Sequence, residues 1–119
     1  MDVSPQPDVP CEIRVVEYPD GVAVVECMGE HDLATRDELA SLLKDLLAHH
    51  ELVVVDVSET AFIDSSFVNN LFIANGFASR AGKRFRLQHS TAPIVHAVLE
   101  ISGLLEKLDC ATNREEAVN

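Results

Sequence analysis

The sequence predicts an α/β fold: a single domain with a mixed, mostly parallel sheet of four to five strands in the order ββαβαβαβα, and helices mainly on one face. Three observations predict it. A Pro-Asp-Gly turn separates two β-branched runs near the start, and a nearly unbroken apolar run, LVVVDV at 52–57, lies mid-chain. After that run, helix-period and strand-period segments alternate with short connections, as right-handed parallel crossovers require.

Residues 1–10, MDVSPQPDVP, hold three of the five prolines and no hydrophobic period, so a flexible leader is expected ahead of a domain over residues 11–119. EIRVVEY at 12–18 and VAVVECM at 22–28 read as strands. They flank Pro19-Asp20-Gly21, where Pro presets φ and Gly tolerates a positive φ, so the pair is an antiparallel hairpin. Thr35-Arg36-Asp37-Glu38 has the spacing of a capping box, in which the threonine hydroxyl and the glutamate each satisfy a free backbone N–H. Behind it Leu39, Leu42, Leu43, Leu46 and Leu47 form one apolar helical stripe, with Arg36, Asp37, Lys44 and Asp45 opposite. His49 and His50 close this helix, where their side chains suit free carbonyls better than a metal ion.

LVVVDV is expected to be the central strand, buried on both faces and parallel to its neighbours. A short connection leads to a helix from Ser65 to about Ala81, a strand from Arg84 to Gln88 and a third helix from Pro93 to Ser102. Pro93 suits a first helical turn, and Gly103 a left-handed stop. Leu108 to Ala111 reads as a last short strand, and Thr112-Asn113-Arg114-Glu115 repeats the capping-box spacing before a brief tail helix. Strands laid down in chain order put every crossover on one side and leave the other face partly open to water. Arg84, Arg86 and Gln88, alternating with Phe85 and Leu87, fit such a strand.

A chain of 119 residues supports one core, and 47% hydrophobic with 24% charged residues excludes collagen-like, low-complexity and wholly disordered classes. Nine Lys and Arg against 20 Asp and Glu give a net charge of −11, a field that repels nucleic-acid backbones and anionic membrane surfaces, so neither is expected as a partner. Cys11, Cys27 and Cys110 are odd in number and lack metal-like spacing, which fits buried thiols in a reduced, cytoplasmic setting. No apolar run approaches the roughly 20 residues of a membrane span, and no secretion signal is expected. His89 and His96 have no partners at ligand spacing and read as solvated side chains, so neither metal nor cofactor is expected.

Chemistry concentrates in Asp56-Val57-Ser58-Glu59-Thr60-Ala61-Phe62-Ile63-Asp64-Ser65-Ser66, which leads from the central strand through a loop to a helix start. Open α/β sheets meet ligands and partners at this edge, beyond the carboxyl ends of the strands. Asp64 and Ser65 suit a helix start because their oxygens accept from free N–H groups, and those groups would also favour a phosphate on the Ser65 hydroxyl. Glu30, His31 and Asp32 lie at another carboxyl strand end and are expected to border Ser65. Together these residues spell a Ser-His-Asp set. Catalysis is not expected, because there is no GxSxG elbow and adjacent His31 and Asp32 point in different directions on most backbones. A phosphoacceptor receiver domain also carries an aspartate on its central strand, here Asp56, but the acidic pair that holds magnesium is replaced by Val16-Glu17-Tyr18-Pro19.

From about Ile13 to Val118 the sequence resembles the STAS family (sulfate transporter and anti-sigma factor antagonist), specifically its small bacterial anti-sigma factor antagonists. VVVDVSETAFIDSS resembles the family's strand, loop and Asp-Ser-Ser helix start; MGEHDLAT, RAGKRFRLQHSTAPIVHAVLEISGLLEKL and NREEAV support it. The resemblance implies a β-α superhelix behind an antiparallel first strand. It also implies that Ser65 is phosphorylated by a serine-kinase anti-sigma factor and dephosphorylated by a serine phosphatase. The unmodified domain would dock on the kinase and free the sigma factor for transcription. The implied docking surface comprises Glu30, His31, Asp32, Asp64, Ser65, Ser66, Phe67 and Asn69.

At Phe67 and Asn69 the family usually has glycine. Phe67 either turns inward with Leu71, Ala74 and Ala78 at helical spacing or adds to a partner-facing patch. These replacements give weight to a second reading, a constitutive STAS-type subunit of a larger signalling or transport complex in which Ser65 is never modified. For the switching reading, a phosphate adds about −1.5 to −2 charges beside Asp64 and Glu59. Each unit of like charge at about 4 Å costs on the order of 4 kcal/mol at an effective dielectric near 20. A loss of about hundredfold or more in affinity is therefore expected. Nothing in the pattern speaks to self-association.

Overall fold

The computed structural model describes residues 12–31, 35–89 and 93–119. The expected leader at 1–10, Cys11 and Asp32 lie outside the described residues. Strand β1 (Glu12–Tyr18) pairs antiparallel with β2 (Val22–His31), from Glu12↔Met28 to Tyr18↔Val22. In the turn Asp20 takes φ 68° and Gly21 φ 74°, the two positive values that match a tight turn to the twist of its strands. There follow α1 (Arg36–His49), β3 (Leu52–Asp56), β4 (Thr60–Ile63), α2 (Ser65–Ala81), β5 (Arg84–Gln88), α3 (Pro93–Ser102), α4 (Leu104–Lys107), β6 (Asp109–Ala111) and α5 (Arg114–Ala117).

The main path of the sheet runs β1-β2-β3-β5-β6, and every pairing after the hairpin is parallel. Strands thus lie in chain order. All of β3 is buried, as a central strand covered on both faces should be. The main core lies between the sheet and the long helices, with Leu39, Leu43 and Leu47 of α1 and Leu71, Ala74 and Ala78 of α2 buried in it. His49 and His50 donate from Nδ1 to the carbonyls of Asp45 and Leu46, 2.9 Å in each case, as their place at the helix end implies.

Among the described residues the sheet has six strands, one more than expected. The extra strand, β4, occupies what reads as a short connection. Among the described residues it pairs only with the end of β2, Gly29↔Thr60, Glu30↔Phe62 and His31↔Ile63, with a bulge between Gly29 and Glu30. Four residues are too few to show a period, and Thr60 holds the strand by donating from Oγ1 to the Cys27 carbonyl at 2.6 Å. α4 was likewise invisible, being one turn long.

Both expected capping boxes are corrected. Thr35 makes no side-chain cap to α1, because its ψ of 5° lies outside the extended region a cap needs. Its hydroxyl instead lies 3.4 Å from Nδ1 of His31. At the tail the box is displaced by one residue: Asn113 Oδ1 accepts from the Glu116 N–H at 2.8 Å, and Glu116 Oε1 accepts from the Thr112 N–H at 3.0 Å. Asn outranks Thr as a cap, which favours this register.

The sheet face opposite α1, α2 and α3 carries α5 and is less open than expected. Val22, Val24, Leu52, Val54, Ala111 and Ala117 form a second apolar cluster there. Beside it Glu26 and Asp56 are direct register partners, two like charges side by side. Arg114 of α5 resolves this. Its guanidinium donates to Glu26 Oε2 at 2.8 Å, Asp56 Oδ2 at 2.5 Å, Gln88 Oε1 at 2.8 Å and the Tyr18 hydroxyl at 3.0 Å. One side chain therefore ties β1, β2, β3 and β5. Burial works against the Arg114 charge, but the hydrogen bonds to Glu26, Tyr18 and Asp56 more than offset it and raise its pKa. Arg86 donates to Asp109 and to the carbonyls of Glu116 and Ala117. Of the polar side chains of β5, Arg86 and Gln88 are thus partners of the tail helix, while Arg84 is exposed. Asp56 also accepts from the Ser58 N–H and hydroxyl, so its carboxylate is committed to structure.

Candidate functional site

β2 and β4 end side by side at His31 and Ile63, and the chain passes from Ile63 through Asp64 into α2. The parallel pairing therefore brings the 30–31 segment to the same carboxyl edge as Ser65. Asp64 caps α2 from an extended conformation. Its Oδ1 accepts from the Ser66 hydroxyl at 2.7 Å and from the N–H groups of Ser66 and Phe67 at 3.0 and 3.2 Å. Burial pushes the Asp64 carboxyl up, but these hydrogen bonds more than offset that and hold it below its ordinary value.

Ser65, the first residue of α2, is exposed, whereas Ser66 is half-buried and bonded to Asp64. The hydroxyl within reach of an enzyme is that of Ser65. One expectation needs correction: the N–H groups of Ser66 and Phe67 are not waiting for a phosphate, because the Asp64 carboxylate already occupies them.

Glu30 and Asn69 are exposed, and Asp64 is half-buried. His31 and Phe67 differ from the expected docking surface. His31 is 0% exposed, donates from Nε2 to the Met28 carbonyl at 2.9 Å, and faces Phe67 with ring centroids 5.6 Å apart. Phe67 is 2% exposed, so the inward alternative holds and its ring adds nothing to an outer patch. The reason is geometric: Leu71, Ala74 and Ala78 follow it at helical spacing on the core stripe. Asp32, the neighbour of His31, lies outside the described residues.

Sequence reasoning missed Arg36. It lines a shallow depression together with Ser65, Ser66 and Asn69. Asn70 Nδ2 donates to the Arg36 carbonyl at 3.0 Å and fixes the start of α1 against α2. The signal was topological: parallel crossovers start both helices at one sheet edge, so their first turns are neighbours. Further along the same two helices, Leu43, Lys44, Ile73, Phe77 and Arg80 are among the residues lining an apolar groove of about 250 Å³.

Among the described residues no three His, Cys, Asp or Glu side chains are grouped so as to hold a metal ion, and no helix is long and apolar enough to cross a membrane. His89 and His96 are half-buried with rings 6.0 Å apart, so neither is the fully solvated side chain expected.

The family model described as "Mlab, STAS domain" matches residues 15–109. No curated protein matches the chain in sequence. Among solved structures, the chain is similar to an anti-sigma factor antagonist from Mycobacterium paratuberculosis, with TM-score 0.80 and 21% identity over 91% of each chain. It is also similar to the Bacillus cell fate determinant SpoIIAA in its phosphorylated form, with TM-score 0.69 and 18% identity over 88% of this chain and 96% of that one. A sulfate transporter family protein from Wolinella succinogenes gives TM-score 0.69 and 18% identity over 87% of this chain and 86% of that one. At these identities the likeness establishes a shared fold.

Proposed function

Since this chain belongs to the STAS domain family, we propose that it is an anti-sigma factor antagonist switched by phosphorylation of Ser65. The unmodified edge formed by Glu30, Asp64, Ser65, Ser66 and Asn69 docks on a serine-kinase anti-sigma factor in the cytoplasm and frees the sigma factor. The kinase moves the γ-phosphoryl group of ATP onto Ser65 Oγ, with ADP leaving and the hydroxyl proton lost. A serine phosphatase resets the domain by hydrolysis. The observation that carries this reading is the exposure of Ser65 directly after an Asp64 carboxylate that is fixed in place. A phosphate there sets a second anion against any partner surface shaped for the first, and like charges at such range cost on the order of a few kcal/mol.

The reading is non-enzymatic. His31 is the histidine this edge would offer as a base, and its ring is buried with Nε2 committed to the Met28 carbonyl. The test uses immobilised wild type, Ser65→Ala and Ser65→Asp with source cytosol and ATP. Wild type and Ser65→Ala should retain a serine kinase that Ser65→Asp does not, and phosphate mass should appear on the wild-type Ser65 peptide. Equal calorimetric affinity of wild type and Ser65→Asp for that kinase would refute it.

A second reading, a constitutive STAS subunit of a transport or signalling complex, is favoured by Asn69, exposed at a position where glycine is usual, and by the likeness to the sulfate transporter family protein. It predicts a Ser65 peptide that stays unmodified in the presence of the native kinase.

A further inference from the structure

Taking Ser65 as a phosphorylated residue, we infer that its phosphate is clasped by Arg36, so that α1, and not the start of α2, supplies the counter-charge. The start of α2 has little to give a second anion. The Ser66 and Phe67 N–H groups and the Ser66 hydroxyl all donate to Asp64 Oδ1, which leaves a fixed negative charge beside Ser65. Arg36 stands at the other side of the same depression, with Ser66 and Asn69 completing its lining. Its backbone cannot drift from α2, because the Arg36 carbonyl accepts from Asn70 Nδ2 at 3.0 Å.

The Arg36 side chain is free to serve. It is 52% exposed and its ion pair, 3.2 Å long, is with its sequence neighbour Asp37, whose side chain is 90% exposed. Solvated pairs of that kind contribute little, so a dianion can displace Asp37. A guanidinium fork also matches phosphate oxygens two at a time, and the exposed Asn69 amide offers another donor at the same rim. The other cations of these two helices are remote: Lys44 follows Arg36 by two turns, roughly 12 Å along α1, and Arg80 lies at the opposite end of α2. The phosphorylated domain therefore differs from the unmodified one in shape as well as charge. Its phosphate lies down across the mouth between α1 and α2 and pins their first turns together.

The test places phosphoserine at position 65 of the full chain by genetic-code expansion, so no kinase is needed, and follows the phosphate by phosphorus NMR as pH is varied. The second phosphate pKa, ordinarily about 6, should fall in the otherwise wild-type protein and rise by roughly half to one unit in Arg36→Gln. Arg36→Lys should lie between them, and Arg80→Gln should match the otherwise wild-type protein. Coincident titrations of the phosphorylated Arg36→Gln and otherwise wild-type proteins would overturn the clasp. A native kinase that ignores Ser65 defeats the switching role and leaves this titration as it is. Coincident titrations defeat the clasp and leave the switching role standing.

Discussion

The rings of His31 and Phe67 meet at a tilt of 54°, and the contact joins the end of β2 to the first turn of α2 from the inside. It shows how a bulky side chain can follow Asp64-Ser65-Ser66 without obstructing the edge. Phe67→Ala should open a cavity there and cost about 3–5 kcal/mol in urea unfolding. Phe67→Gly should cost about 1 kcal/mol more through helix propensity. A loss below about 1 kcal/mol for Phe67→Ala would show that the ring is not packed as described.

Asp64 should act as a cap whose contribution depends on pH. Asp64→Ala is expected to cost about 0.5–2 kcal/mol and Asp64→Asn much less, since Asn caps nearly as well. The Asp64 carboxyl is held below its ordinary value, so its stabilisation is complete above the unfolded pKa near 3.9 and is lost as pH falls through the lowered value. Melting curves between about pH 5 and pH 2 should therefore fall less steeply for Asp64→Asn than for wild type.

Arg114→Met should leave Glu26 and Asp56 adjacent with no cation between them, Arg14 remaining 3.6 Å from the far oxygen of Glu26. Breaking such a partly buried cluster is expected to cost about 3 kcal/mol. Arg114→Lys should recover only part of it, because a single ammonium cannot reproduce the fork that reaches four strands. Adding Glu26→Gln and Asp56→Asn to Arg114→Met should restore stability in guanidinium unfolding. A triple variant no more stable than Arg114→Met would contradict the like-charge argument.

His50 donates from Nδ1 to Leu46 and from Nε2 to Glu17 at 3.0 Å, an arrangement that only the protonated ring satisfies at both ends. The Glu17 hydrogen bond raises its pKa; burial lowers it by less. The contribution of this tie is therefore complete below the unfolded pKa near 6.5 and lost as pH rises through the raised folded value. Glu17→Gln should bring the His50 titration, read by proton NMR, back toward its ordinary value. It should also flatten the loss of melting temperature above neutrality.

Much of the architecture was legible because it rests on periodicity. The leucines of α1, the unbroken LVVVDV run and the Pro19-Asp20-Gly21 turn each give a local signal that packing then reinforces. What escaped was set by contacts distant in sequence. Thr60-Ala61-Phe62-Ile63 becomes a strand only because the end of β2 is there to pair with it. Thr35 has the letters of a cap and spends its hydroxyl near His31. Asp64 and Ser65 were readable from chemistry at a helix start, but the burial of His31 depends on Phe67, 36 positions on, which no window of sequence reveals. Arg36 was overlooked for the same reason, since it meets Ser65 only after one full crossover.

Arg114 also sets an order of events during synthesis. A nascent chain that has left the ribosome as far as Ala111 holds all six strands, yet still lacks the guanidinium that lets Glu26 and Asp56 sit side by side. Maturation of the sheet waits on the codons of α5. A message truncated just after Ala111 would thus encode an intact Ser65 on a domain whose bare valine face, Val22, Val24 and Val54, is offered to proteases and chaperones.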